Sequence, residues 1–272
     1  MTILLKDMQK FSIFYSKMMN KIEQFGNYFK SNILNHFLRH CTILVYHRVA
    51  NVSHDPLQLC VSSDNFKKQM MYFKKKFNLI SLSQMANDIK SRKIKGGTMA
   101  ITFDDGYADN LYAALPILEE LNIPATIFIA TDNINSQEDF YWDKNTNKAD
   151  RGRPMAIEEI KKISAHPLIE IGAHTVHHPN LGKININEQS AEIMQSKIML
   201  EEILGKQISG FAYPFGSKKS FSKKTISEVK KAGFHFACAN TQEPVYFFSN
   251  LFCIPRIIVR DCDINTFKNK LK

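Results

Sequence analysis

The sequence predicts an α/β barrel of seven or eight parallel strands, preceded by an amphipathic helical extension. Three observations carry this. From Cys41 onward, short apolar runs alternate with amphipathic helical stretches, the pattern of parallel strands joined by crossover helices. Seven or eight such runs within one domain-sized segment favour a closed or nearly closed sheet over an open one. A chain of 272 residues with 44% apolar composition also has enough to bury one large core.

Taken in order, the extension comes first, over residues 1–40. Leu4, Met8, Phe11, Tyr15, Met18, Ile22, Phe25 and Phe29 recur by alternating steps of four and three, which places them on one seam of a helix. Lys6, Lys10, Lys17, Lys21 and Lys30 lie off that seam. An aromatic-rich apolar face beside a basic one suits a helix in an anionic membrane interface, through residues 4–30. A coiled-coil dimer and docking on the chain's own domain share the same period. Residues 41–272 then form the expected catalytic domain. Its strands are expected at Thr42 to Tyr46, Leu79 to Leu82, Met99 to Phe103, Ala125 to Ala130, Ile169 to Ala173, Gly210 to Tyr213, His235 to Ala239 and Arg256 to Val259. Helical segments separate most of them.

Charge and cysteines narrow the function classes. Lys and Arg number 36 against 26 Asp and Glu, giving +10, which favours an anionic neighbour without choosing one. The basic pairs Lys67-Lys68, Lys161-Lys162 and Lys223-Lys224 fall inside helical stretches and lack the interleaved aromatics of a nucleic-acid platform, so they read as solvated helix faces and no nucleic-acid partner is expected. The 5 cysteines are an odd number without CxxC spacing, which argues against a disulfide framework or a zinc knuckle and fits a reducing compartment. Lysines interrupt any apolar leader at the start, and no run of about 18 apolar residues spans a bilayer. A cytoplasmic protein, peripheral on the inner face of the membrane, is the expectation.

The reactive residues cluster after predicted strands, where barrels carry their chemistry. His47 follows the first strand, Asp104 and Asp105 the third, and His174 and His178 the fifth. On a helical turn, the i, i+4 spacing of His174 and His178 points both imidazoles one way, and a carboxylate from a neighbouring strand end completes three ligands. Three protein ligands with one open position are the arrangement of a hydrolytic metal centre. Adjacent aspartates cannot share one geometry, so one can ligate while the other takes a proton. Alone, Asp-Asp-Gly reads as a turn and His-Thr-Val-His-His-Pro as a surface loop. It is their conjunction that points to chemistry.

These motifs resemble those of the NodB-type polysaccharide deacetylases, carbohydrate esterase family 4. Thr102-Phe103-Asp104-Asp105-Gly106 is similar to the family's TFDDG motif, and His174-Thr175-Val176-His177-His178-Pro179 to its H-[ST]-x-x-H-P motif. Phe211-Ala212-Tyr213-Pro214-Phe215-Gly216 resembles the third, and Tyr46-His47-Arg48-Val49 an opening motif of the poly-β-1,6-N-acetylglucosamine deacetylase branch. The resemblance implies a distorted (β/α) barrel that hydrolyses the N-acetyl amide of a sugar. It implies a divalent ion on Asp105, His174 and His178, most often Zn2+, with Co2+, Ni2+ or Fe2+ as alternatives. Asp104 is then the general base, and the Phe215 N–H helps to hold the oxyanion.

In two places the chain departs from the chitin-deacetylase pattern. Ala212 stands where that branch carries an arginine, and Arg256 is the expected substitute for orienting the base. The late histidine that supplies the general acid is absent, and His47 is the expected substitute. Tyr141, Trp142 and Tyr213 are the expected sugar contacts, since flat rings stack on sugar faces with little entropy cost. His177 is assigned no role. Three other readings remain open at this stage: a glycan-binding relative without turnover, an amidohydrolase acting on another acylated or cyclic amide, and a membrane-tethering protein. The substrate is expected in a surface polysaccharide, a lipopolysaccharide or a lipid-linked precursor.

Overall fold

The computed structural model describes residues 40–270, apart from 133 and 135–137. The expected helical extension, His40 excepted, lies outside the described residues. In chain order the elements begin with β1 (Thr42–Tyr46), β2 (Arg48–Val49), β3 (Cys60–Val61), α1 (Ser63–Lys76), β4 (Asn78–Leu79), α2 (Leu82–Lys90) and β5 (Thr98–Phe103). Then follow α3 (Leu115–Glu120), β6 (Ala125–Ile129), α4 (Ile157–Ser164), β7 (Ile169–Ala173), α5 (Ile186–Leu204) and β8 (Gly210–Ala212). The last are α6 (Lys223–Lys231), β9 (Phe236–Ala239), β10 (Ile254–Pro255), β11 (Ile257–Ile258) and α7 (Ile264–Lys270).

The main sheet is parallel and runs β10-β9-β8-β7-β6-β5-β1-β11, with β4 beside β5. Its two ends are one piece of chain. Ile254 and Pro255 pair with Cys238 and Ala239 of β9, and Ile257 and Ile258 pair with Leu44 and Val45 of β1. Segment 254–258 therefore closes the sheet on itself, and eight parallel strands, counting that segment once, make a nearly closed barrel among the described residues. A strand over Arg256 to Val259 was expected. The pairing instead breaks at Arg256, because Pro255 has no N–H to donate and the Arg256 side chain is drawn inward.

Strand pleating sorts the side chains by parity. Ile43, Ala100, Phe128, Ala212, Phe236, Cys238 and Ile254 form one buried cluster, the barrel interior. Leu44, Ile101, Ile127, Ile171, Phe211 and Ala237 belong to a second, between the sheet and the helices. Two glycines make room for the large interior rings: a Cβ on Gly172 would lie 2.4 Å from the Phe128 ring, and one on Gly210 2.7 Å from Phe236. Leu82, Met85, Ala86 and Ile89 of α2 join the interior cluster at the strands' N-terminal ends. Fully burying one such aliphatic side chain contributes about 1.5–3 kcal/mol.

The other differences from expectation are local. Leu82 starts α2 rather than ending a strand, because the Ser81 side chain accepts the Gln84 N–H and caps the helix there. His235 donates its N–H to Ser209 O, and the strand begins one residue later. Helix-face lysines behave as solvated pairs: Lys67 meets Glu120, Lys68 meets Asp64 and Lys161 meets Glu158 on the surface. All five cysteines are free thiols. No helix among the described residues is long and apolar enough to cross a membrane.

Candidate functional site

The interior parity continues past the strand ends and gathers the reactive side chains. His47 continues β1, Asp104 β5, His174 β7 and Asn240 β9, while Ile258 lies on the closing segment. All five line one cavity of about 280 Å³ with Asp105, Tyr141, Trp142, His178, Phe215 and Arg260.

Beneath its floor, Arg256 is completely buried and holds Asp104 in a two-pronged ion pair: Nη1 donates to Oδ1 and Nη2 to Oδ2, each at 2.7 Å. Two further donors are used as well, Nε on Asn240 Oδ1 at 3.1 Å and Nη1 also on Thr102 Oγ1 at 3.2 Å. The guanidinium lies 5.3 Å from the Phe128 ring centroid. Burial alone would raise the Asp104 pKa, but the Arg256 charge and its hydrogen bonds pull it down to about 2. Arg256 thus stands where the expectation put a partner for the base. Asn240, which sequence reasoning missed, orients Arg256 in turn.

Asp105 leaves the strand with φ 74 and Gly106 follows with φ 85, so the chain reverses and both neighbouring carboxylates reach the cavity. Asp105 Oδ1 lies 3.6 Å from His174 Nε2 and 3.6 Å from His178 Nε2. Ligands held at about 2.0–2.2 Å around a tetrahedral ion are about 3.4 Å apart, close to both of these separations, and all three ligand atoms lie within 4.8 Å of one another, so the trio could hold a divalent cation. Asp105 Oδ1 is also buried without a hydrogen-bond partner, as a waiting ligand atom should be. His174 Nδ1 lies 2.8 Å from Ala212 O; donating there leaves the Nε2 lone pair facing Asp105. Burial lowers the pKa of His174 and of His178, keeping both imidazoles neutral. Burial and the Asp104 charge raise that of Asp105, an imbalance a cation would reverse.

The histidine motif is a loop, not the expected helical turn. Thr175 and His178 take left-handed backbone, φ 65 and 55, and these turns bring His178 back beside His174, the ring centroids 4.8 Å apart. Glu192 of α5 fastens the loop by accepting from the N–H groups of Val176 and His177 at 2.9 Å. His177 points away and pairs with Glu192 at 2.6 Å.

His47 stands in the cavity wall with Nδ1 enclosed and unpartnered, and burial lowers its pKa to about 4, the Asp104 charge offsetting part of the fall. Phe215, with φ 61, exposes its ring at the mouth 5.1 Å from His178. Gly216 behind it is pressed on Asn240, whose N a Cβ would meet at 2.6 Å. Tyr141 is exposed at the mouth, its hydroxyl donating to His178 O at 3.3 Å. Trp142 lines the cavity but is also an anchor: its ring lies 4.6 Å from His178, and Nε1 donates to the Tyr107 hydroxyl, which donates to Asp143. Tyr213 is not a cavity residue. Pleating turns it outward from β8, where it is fully buried, stacked 4.0 Å from Phe221 and bonded to Phe252 O. Arg48 of the opening motif is likewise structural, pairing with Asp109 and donating to Asp150 O.

A parallel barrel whose rim holds an Asp-His-His cluster beside an arginine-locked carboxylate has the architecture of an α/β-barrel hydrolase with a candidate metal site. The chain belongs to the polysaccharide deacetylase family, whose sequence profile matches residues 91–237. It is 26% identical over 241 residues to the poly-β-1,6-N-acetyl-D-glucosamine N-deacetylase of Staphylococcus aureus (strain MRSA252), covering 85% of this chain and 76% of that one. It is also 28% identical over 144 residues to YxkH of Bacillus subtilis (strain 168), a protein named for polysaccharide deacetylation; the match covers 53% of this chain and 44% of YxkH. Two solved structures share the fold. The Streptococcus pyogenes deacetylase PplD, in complex with acetate, superposes with TM-score 0.70 at 18% identity, over 86% of this chain and 98% of that one. IcaB from Ammonifex degensii gives 0.67 at 19%, over 81% and 92%. The family's deacetylases use a divalent metal.

Proposed function

We propose that this chain removes the N-acetyl group from an N-acetylated sugar in a surface polysaccharide, a lipopolysaccharide or a lipid-linked glycan precursor, using Zn2+ on Asp105, His174 and His178. The observation that carries the reading is the Asp104–Arg256 pair set against that Asp-His-His trio on one cavity floor. A base held at a pKa of about 2 accepts protons weakly, and the divalent ion supplies the Lewis acidity that acidifies water and polarises the acetyl carbonyl. In this reading Asp104 takes the proton of the attacking water, and Arg256 keeps it ionised and aimed. The Phe215 N–H donates to the oxyanion as the carbonyl becomes tetrahedral. His47, protonated from solvent as negative charge develops in the cavity, delivers that proton to the departing nitrogen, since an amine leaves poorly unless protonated, and the proton taken by Asp104 returns to solvent. Tyr141 and Trp142 flank the sugar. Likeness to the S. aureus enzyme over most of the chain makes β-1,6-linked N-acetylglucosamine oligomers the first substrate to try.

The extension 1–40 is proposed as a membrane-surface segment and 41–272 as the catalytic domain. The test of the reaction is mass spectrometry of N-acetylglucosamine oligomers and lipid-linked N-acetyl sugars with zinc-loaded protein. Asp104→Asn should keep its metal and lose turnover by about 10² or more. Near-normal turnover in that variant, or intact acetyl groups on every substrate with the wild type, would overturn the reading.

A further inference from the structure

The barrel end opposite the cavity carries an unusual surface. The end of α2 and the loop that follows it present Lys90, Arg92, Lys93 and Lys95, all exposed. The loop is held against the first residues of the barrel, where the Cys41 thiol donates to Lys95 O at 3.2 Å. On the other side of Cys41, Val245 pairs with it in a short antiparallel bridge and leads into Tyr246 and Phe248. Those two rings stack 5.2 Å apart and 1° from parallel, and Phe248 is 67% exposed, the most exposed large apolar side chain among the described residues.

A second basic group reaches the same end. The last turn of α1 carries Lys74, Lys75 and Lys76, all exposed, and Asn78 just beyond it donates its N–H to Gly97 O at 2.9 Å, next to the basic loop. The acids on these elements are mostly engaged: Gln84 bonds Asp88, Lys67 pairs with Glu120 and Lys218 with Glu243. Asp88 keeps its charge beside the neutral Gln84 amide, but on the end of α2, the loop after it and the last turn of α1 seven bases stand against that one acid, so these segments carry net positive charge.

We propose that this end of the barrel docks on an anionic lipid bilayer. Cations alone would suit any polyanion, but a solvent-facing aromatic stack flanking them across Cys41 suits the boundary of headgroups and acyl chains, where flat rings settle and lysines meet lipid phosphates. The described chain also begins at this surface, where the His40 ring lies 6.1 Å from that of Tyr246. None of these residues lines the cavity that holds Asp104, so the proposal stands apart from the catalytic reading. Its consequence is orientation, with the cavity mouth turned away from the membrane.

Co-sedimentation of the full chain with vesicles tests it, comparing phosphatidylcholine alone with phosphatidylcholine containing phosphatidylglycerol. One variant combines Lys90→Gln, Arg92→Asn, Lys93→Gln and Lys95→Gln, asparagine being chosen for the left-handed backbone of Arg92, φ 57. The second is Phe248→Ser. Both should melt as the wild type does and keep its turnover on a soluble substrate. The wild type should prefer the phosphatidylglycerol vesicles, in a salt-sensitive way. The loop variant should bind them at least about tenfold more weakly, and Phe248→Ser should bind more weakly as well. Equal binding to both vesicle types, or binding undiminished in folded variants, would overturn the proposal. So would a loss confined to the loop variant together with equal binding of soluble heparin, which would mark the surface as a polyanion site.

Discussion

Asp104 keeps its charge because Arg256 meets both its oxygens at 2.7 Å, whereas Asp105, one residue on, has its Oδ1 buried without a hydrogen-bond partner. The two respond oppositely to pH. The Asp104 pKa, lowered from 3.8 to about 2, adds stability that is fully present above 3.8 and is lost as pH falls towards 2. The raised pKa of Asp105 means that its ionisation costs stability as pH climbs above 3.8. Asp105→Asn should therefore melt higher than the wild type near neutral pH when both are stripped of metal, with the advantage fading towards about pH 4. Zinc should raise the melting temperature of the wild type and leave that of the variant nearly unmoved. A metal-free variant that melts lower at neutral pH would show that Asp105 is stabilised by something other than a cation.

His47 is held neutral around pH 7 by its pKa of about 4, so it must gain its proton as charge develops in the cavity. His47→Gln should lower turnover of an N-acetyl sugar far more than that of an activated aryl acetate, whose leaving group needs little protonation. Metal content should not change. Equal losses on both substrates would make His47 a positioning residue.

At the scale of single elements, what the sequence reveals follows the source of the signal. β1 and β7 run over the expected residues: β1 is an almost wholly apolar run, and β7 keeps its place although Glu170 interrupts its apolar residues, since that carboxylate accepts from Thr126 Oγ1 and the Ser83 N–H. The Asp-His-His cluster and Asp104 were legible because their motifs sit directly after predicted strands. Backbone that leaves regular structure was not: the left-handed residues Thr175 and His178 look helical by spacing alone, and the break at Arg256 depends on a partner 152 residues away. Strand parity could have been pressed further. Counting by twos from Phe236 finds Asn240 on the interior and, from Gly210, turns Tyr213 outward. Arg260 and Glu192 carry no comparable signal. The same parity makes Gly172 a sharp probe, since a methyl there meets the Phe128 ring at 2.4 Å. Gly172→Ala should cost about 1–3 kcal/mol in urea unfolding through overpacking, and a loss below about 0.5 kcal/mol would show a looser barrel interior.

For the whole molecule, segment 254–258 ties the closing of the barrel to the chemistry of its rim. It is the last stave of a cask, and it also carries the bolt of the catalytic lock. Leu44 must find Ile257 across nearly the full described chain, the kind of distant contact that forms late and slowly. Until it forms, the barrel lacks its closing strand and Asp104 lacks Arg256. A partly assembled molecule is thus silenced by its own topology, and activity becomes a gauge of closure. On dilution from urea, helical circular dichroism should recover before acetyl release, which should return only in the slowest phase. Simultaneous recovery of both signals would mean that the cask closes in the same step that builds its staves.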